Sequence, residues 1–170
     1  MKQIRYGTGP TQVKIDLQQN EGPVEEIIVT LDNEHMPHSS HHFLQMADNQ
    51  LWRDLPLMKG IDESLLVASP SVFDGNHRFG TDRFRDAKLM DLAFPEYFTP
   101  QEYKYSMAFT RNGGPAFVIR MDDRVPKDEE DESTFAFVTK GFDTLDIIMR
   151  TSREENFWKI RHMTVLFADS

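Results

Sequence analysis

From Val13 to Gln18 apolar and polar residues alternate strictly, Val13, Ile15 and Leu17 against Lys14, Asp16 and Gln18. A period of two sends one row of side chains into a core and the other into water, which a strand satisfies and a helix does not. Asn20-Glu21-Gly22-Pro23 is a turn sequence, and Val24 to Leu31 follows with Ile27, Val29 and Leu31 on one side, so the two segments read as a hairpin. Short strand-like runs then recur at Leu55 to Lys59, Leu65 to Ala68, Tyr105 to Thr110, Ala116 to Met121, Phe135 to Thr139 and His162 to Phe167. Gly60 to Ser64 separates the first two of these, and Arg111-Asn112-Gly113-Gly114-Pro115 joins the next pair as a second hairpin.

Only two segments carry a helical period. Pro37 suits a first helical position, and Phe43, Leu44, Met46 and Ala47 keep helical spacing to about Asn49. After Gly141, Phe142, Leu145, Ile148 and Met149 define a second helix over 142 to 151. Between Ser69 and Lys104 no period lasts, and turns with one short helical turn near Ala87 to Leu92 are expected there. Short antiparallel runs with two isolated helices argue against a parallel βαβ sheet and for a barrel or sandwich with helices at its ends.

The chain has 170 residues, with 39% hydrophobic residues and 13 Phe, enough for one core, and no internal repeat or linker divides it. A formal charge of -9 disfavours extended contact with nucleic acid or an anionic membrane, because the one basic group, Arg78, Arg83, Arg85 and Lys88, is small. No apolar run of membrane-spanning length and no leader-like segment stands in the sequence. The abrupt polar start suits a soluble domain taken from a longer protein, so compartment is left open. Zero Cys excludes disulfides, thiol nucleophiles and thiolate metal sites.

The polar motifs have ordinary readings. His38 and His42 stand four residues apart on one helical face, beside His35 and His41, yet two helical His without a convergent carboxylate make no dedicated metal site. Ser39, His42 and Asp48 do not converge as a triad, and Asn112-Gly113-Gly114 joins strands and opens no phosphate-binding helix. Lys127-Asp128-Glu129-Glu130-Asp131-Glu132 reads as an exposed acidic loop without the spacing of a calcium loop. Trp52 and Trp158 are expected at the barrel ends with their N–H groups satisfied. No cofactor or metal is implied.

The order of strands and helices resembles the cyclophilins, and local stretches carry the likeness. Met36-Pro37 with Phe43-Leu44-Gln45-Met46 is similar to that family's Pro-initiated first helix, and Tyr105-Ser106-Met107-Ala108 to its Leu-Ser-Met-Ala strand. Asn112-Gly113-Gly114-Pro115-Ala116-Phe117-Val118-Ile119 resembles its Asn-Gly-Ser-Gln-Phe-Phe-Ile stretch. Phe135-Ala136-Phe137-Val138 followed by Gly141-Phe142-Asp143-Thr144-Leu145 resembles its Phe-Gly-x-Val strand and Gly-Met-Asp-x-Val helix start. The resemblance implies a mainly β fold, a closed eight-stranded antiparallel barrel with two flanking helices. It covers residues 12 to 168, leaving 1 to 11 as an N-terminal extension. Closure of the sheet suits a monomer.

The resemblance also implies a peptidyl-prolyl isomerase site. Amide resonance raises a barrier of about 18–20 kcal/mol to X-Pro rotation. A catalyst therefore needs an apolar pocket for the ring and a cation that favours the twisted amide over the planar one. In active members the cation is the Arg of a Phe-His-Arg stretch. Here that stretch reads Met58-Lys59-Gly60, so the Arg is absent, and the family's Gln falls at Ala68. Leu65 and Leu66 keep apolar character, the second Gln falls at Ala116, Phe117 is retained and the next pocket Phe becomes Val118. Leu65, Leu66, Ala68, Phe109, Ala116, Phe117 and Val118 are the pocket residues so implied. Lys59 is one position away from the lost Arg and points to the opposite side of a strand. Arg53, Arg78 and Arg111 read as surface charges. Arg120 is the substitute cation of most interest, with a salt bridge to the acidic loop as its ordinary role. The implied function is a peptide- or protein-binding module, for ligands that include Pro-containing ones, with weak or no isomerase activity. The alternative is an isomerase with a relocated Arg. Cyclosporin, a ligand that the resemblance implies for active members, depends on the same Arg, Gln and aromatic wall.

Overall fold

The structure, a computed structural model, describes residues 11–60, 64–70, 80–92, 96–110, 114–123, 133–152 and 158–166. Strand β1, Gln12–Gln19, buries Val13, Ile15 and Leu17 and leaves the intervening residues half-exposed, as its alternation requires. It turns back into β2, Glu25–Leu31, with Gly22 N–H donating to the Gln19 carbonyl at 3.0 Å. Helix α1, Pro37–Asp48, starts at its proline. Then come β3, Pro56–Lys59, β4, Leu65–Ala68, and a short helix α2, Thr81–Asp86. Strands β5, Ser106–Phe109, β6, Phe117–Arg120, and β7, Thr134–Lys140, precede helix α3, Phe142–Thr151, and β8, Trp158–Leu166.

The strands close into a barrel in the order β1-β2-β7-β5-β6-β4-β3-β8, with β8 pairing back onto β1 and all eight ladders antiparallel. Closure leaves the barrel no free edge for an added strand. Two expectations shift. Helix α2 lies before the helical turn expected at Ala87 to Leu92, where Phe84 is fully buried against Trp52. Strand β8 begins four residues before His162, because a bulge opposite Asp16/Leu17 gives two consecutive exposed residues, Arg161 and His162, and so breaks the alternation.

The core is mainly aliphatic, with a cluster of aromatic rings inside the barrel. Phe43 of α1 enters the barrel and meets Phe135, Phe117 and Phe109 with ring centroids 5.2, 5.5 and 6.4 Å away. Trp52 stands edge-on to Phe84 and Phe117, both at 5.0 Å. Its indole N–H has no hydrogen-bond partner among the described residues, against expectation, and lies in an aromatic surround. Trp158 follows expectation, donating to Thr151 Oγ1 at 2.9 Å. Gly141 sets the entry to α3: at φ +91°, a Cβ there would stand 2.6 Å from the Glu26 carbonyl oxygen.

Candidate functional site

Paired residues of an antiparallel ladder share one face of the sheet, and neighbours along a strand take opposite faces. That rule sorts the implied pocket residues. Ala68 pairs with Phe117 and Phe117 with Phe109, while Leu66 pairs with Ile119 and Ile119 with Met107. All six belong to the buried core, so these two rows point into the barrel. Leu65 pairs with Arg120 and Val67 with Val118, rows that face outward. The seven residues named from the resemblance therefore divide. Leu66, Ala68, Phe109 and Phe117 belong to the core, Leu65 and Val118 lie on the outer face, and Ala116 is half-buried just ahead of β6.

The outer face carries a cross-strand row from β3 to β7, with a register shift beside Ala108: Met58 pairs with Val67, Val67 with Val118, Val118 with Ala108, and Ala108 with Thr134. Met58, Val67 and Val118 are half-buried, whereas Ala108 is covered. Met58 and Val67 were not singled out by sequence. Strand β4 reads Leu-Leu-Val-Ala without a polar residue, so its composition carries no alternation from which a face could be assigned. The register, not the residue types, selects Val67 over Leu66 and Ala68.

Arg120 lies one step along this face from Val118 and is only 5% exposed. Its Nη1 donates to Ser106 Oγ and to Thr134 Oγ1, both at 2.8 Å, and its guanidinium stands 5.2 Å from the Tyr103 ring centre. The Ser106 hydroxyl in turn donates to the Tyr103 carbonyl at 2.6 Å. The cation thus ties β5, β6 and β7 together beneath the surface. The acidic residues 127 to 132, its expected partners, lie outside the described residues, as do Arg78 and Arg111. Lys59 is exposed at the end of an inward row, paired with Leu66. Arg53 is exposed, and its carbonyl accepts from Arg83 Nη1, which also donates to Leu51 O at 3.3 Å.

The histidines spread around the start of α1. His38 is exposed, His42 is buried with its ring edge-on to Phe109 at 5.8 Å, and His41 is half-buried. His35 stacks on Phe98 at 4.3 Å and holds Asp32 through Nδ1 at 3.0 Å. The Glu96 carboxylate caps the helix, accepting from the His38 and Ser39 backbone N–H groups at 3.0 and 2.7 Å. No sequence signal links Glu96 to that cap, since 58 residues separate it from His38. Among the described residues no group of three His, Asp or Glu side chains is arranged to hold a metal ion.

Chemically, the outer row offers an apolar surface for a side chain and no exposed cation at its centre among the described residues. Such a surface can take up apolar area. A family model described as cyclophilin type peptidyl-prolyl cis-trans isomerase/CLD matches residues 14–168. No curated protein sequence matches the chain. Among solved structures, the Mimivirus cyclophilin is similar with a TM-score of 0.68 at 16% identity, covering 95% of this chain and 91% of that one. A Cryptosporidium parvum cyclophilin type peptidyl-prolyl cis-trans isomerase gives 0.65 at 13% identity, covering 95% and 100%. A further structure of that isomerase, in the presence of the dipeptide Ala-Pro, gives 0.63 at 14% identity, covering 92% and 99%. At these identities the likeness to solved structures is one of fold.

Proposed function

The chain belongs to the cyclophilin-type peptidyl-prolyl isomerase family, and from that premise we propose that it is a binding module for peptide or protein segments with weak or no isomerase activity. The observation that carries the reading is the state of Arg120. Among the described residues it is the substitute cation on the outer face itself, and it is buried and engaged by Ser106, Thr134 and the Tyr103 ring. Reaching a ligand over Val67 and Val118 would break both hydrogen bonds and the contact with the Tyr103 ring. Glycine at position 60, where the family's Arg is expected, has no side chain to offer.

An apolar surface binds planar and twisted amides nearly alike, and uniform binding leaves the rate of rotation unchanged. A missing cation worth about 4 kcal/mol in the twisted state lowers turnover roughly a thousandfold. The ligand class is an apolar or Pro-containing segment, for which the Ala-Pro dipeptide of the Cryptosporidium structure is the simplest probe. The barrel acts as a monomer in this reading. NMR exchange on an Ala-Pro tetrapeptide with the purified chain tests it. Exchange at least a hundredfold slower than with an active cyclophilin is expected, and turnover within tenfold of one overturns the reading in favour of a relocated Arg.

A further inference from the structure

The chain has nine Met and no Cys, so thioethers are its only readily oxidised sulfurs. Among the described methionines, Met36, Met46, Met107 and Met163 are core residues 0 to 1% exposed, and Met90, Met121 and Met149 pack against that core. Met58 does neither. It sits half-buried on the outer face of β3, paired with Val67, at the head of the row that runs on to Val118. The one described methionine held apart from the core thus lies on the proposed ligand surface.

We propose that Met58 is a modification site, a thioether whose oxidation by a peroxide switches the outer face from apolar to polar and releases its ligand. This rests on the reading of that face as the ligand surface. The sulfur lone pair attacks the terminal peroxide oxygen, an S–O bond forms as the O–O bond breaks, and the departing oxygen takes a proton and leaves as water or an alcohol. Sulfur is oxidised by two electrons and the peroxide reduced by two. The product sulfoxide is polar and chiral, and a methionine sulfoxide reductase returns it to the thioether. Neither Val67 nor Val118 offers a hydrogen-bond donor to the new oxygen, so an apolar ligand lying on the row would leave it unsatisfied.

The full chain, labelled with 13C at the methionine methyls, is titrated with hydrogen peroxide and mapped by mass spectrometry, then titrated with an Ala-Pro tetrapeptide before and after oxidation. Met58 is expected to oxidise at least tenfold faster than Met36, Met46, Met107 and Met163 and ahead of Met90, Met121 and Met149. Its methyl resonance is expected to move with the tetrapeptide, and the oxidised chain to bind at least fivefold more weakly, with affinity restored by reductase. Met58→Leu, whatever its own affinity, should lose none on peroxide treatment, and Met58→Gln should bind as weakly as the oxidised chain. Oxidation of Met58 no faster than that of the packed methionines overturns the switch, as does unchanged affinity after selective oxidation of a chain that binds the tetrapeptide. A reduced chain on which the tetrapeptide moves neither the Met58 methyl nor the neighbouring valines fails at the earlier step, since then the face is not the ligand surface.

Discussion

Replacing Arg120 with Ala removes a cation that donates at 2.8 Å to two hydroxyls from two different strands and packs over a ring. A hydrogen bond from a charged donor contributes about 1.5–3 kcal/mol net. The two do not sum in full. Ser106 Oγ keeps its bond to the Tyr103 carbonyl, whereas Thr134 Oγ1 is left fully buried and has lost a donor. The buried cation also carries a desolvation penalty that its removal relieves. Weighing these with the cavity left behind, a loss of about 3–4 kcal/mol is expected. Arg120→Met, which refills the space, should lose less, and Arg120→Lys should recover little, because an ammonium lacks the planar fork that spans two acceptors. Urea denaturation at unchanged m-value measures the difference. A change under 1 kcal/mol for Arg120→Ala would refute the clamp. So would native stability together with a tenfold fall in tetrapeptide exchange, since the side chain would then be facing ligand.

Glu96→Gln removes the anion at the start of α1 while keeping an amide oxygen as acceptor, and should destabilise by about 0.5–1 kcal/mol, less in high salt; urea titrations at two ionic strengths that agree would contradict it. Gly141→Ala forces a side chain into positive φ and toward the Glu26 carbonyl, and should destabilise by about 2–4 kcal/mol. A variant within 1 kcal/mol of the parent would show that the turn yields. On the proposed reading, in which the Arg, Gln and aromatic contacts are lost at about 2 kcal/mol or more each, cyclosporin should bind outside the nanomolar range; a calorimetric titration giving nanomolar affinity would mean the contacts have substitutes.

Strands β1 and β2 and helices α1 and α3 were legible because each buries one face and exposes the other, so period and burial agree. The start of β8 was not, because the bulge at Arg161 inserts a residue that alternation cannot accommodate. The site was legible only to its neighbourhood. Strands β4 and β6 are apolar on both faces until Arg120, so Leu66 and Val67 look alike in sequence and are told apart only by their partners Ile119 and Val118. A shift of one residue in alignment exchanges pocket for core along the entire strand. The Arg120 clamp depends on Ser106, Thr134 and Tyr103, which come together only when β5, β6 and β7 are paired.

The closed barrel narrows how any ligand is recognised. With every strand paired on both sides, a peptide cannot add as a ninth strand and take its affinity from main-chain hydrogen bonds. In the proposed reading recognition falls to side chains on the outer face. In the row from Met58 to Val118 these are apolar, so affinity there comes from buried area, at about 25 cal/mol per Å² before the costs of association. Area discriminates shape and size and is nearly blind to amide geometry. In the proposed reading, an apolar row laid over a packed core retains what binding requires and lacks what rotation requires, and the two properties separate at position 60, where glycine offers no side chain.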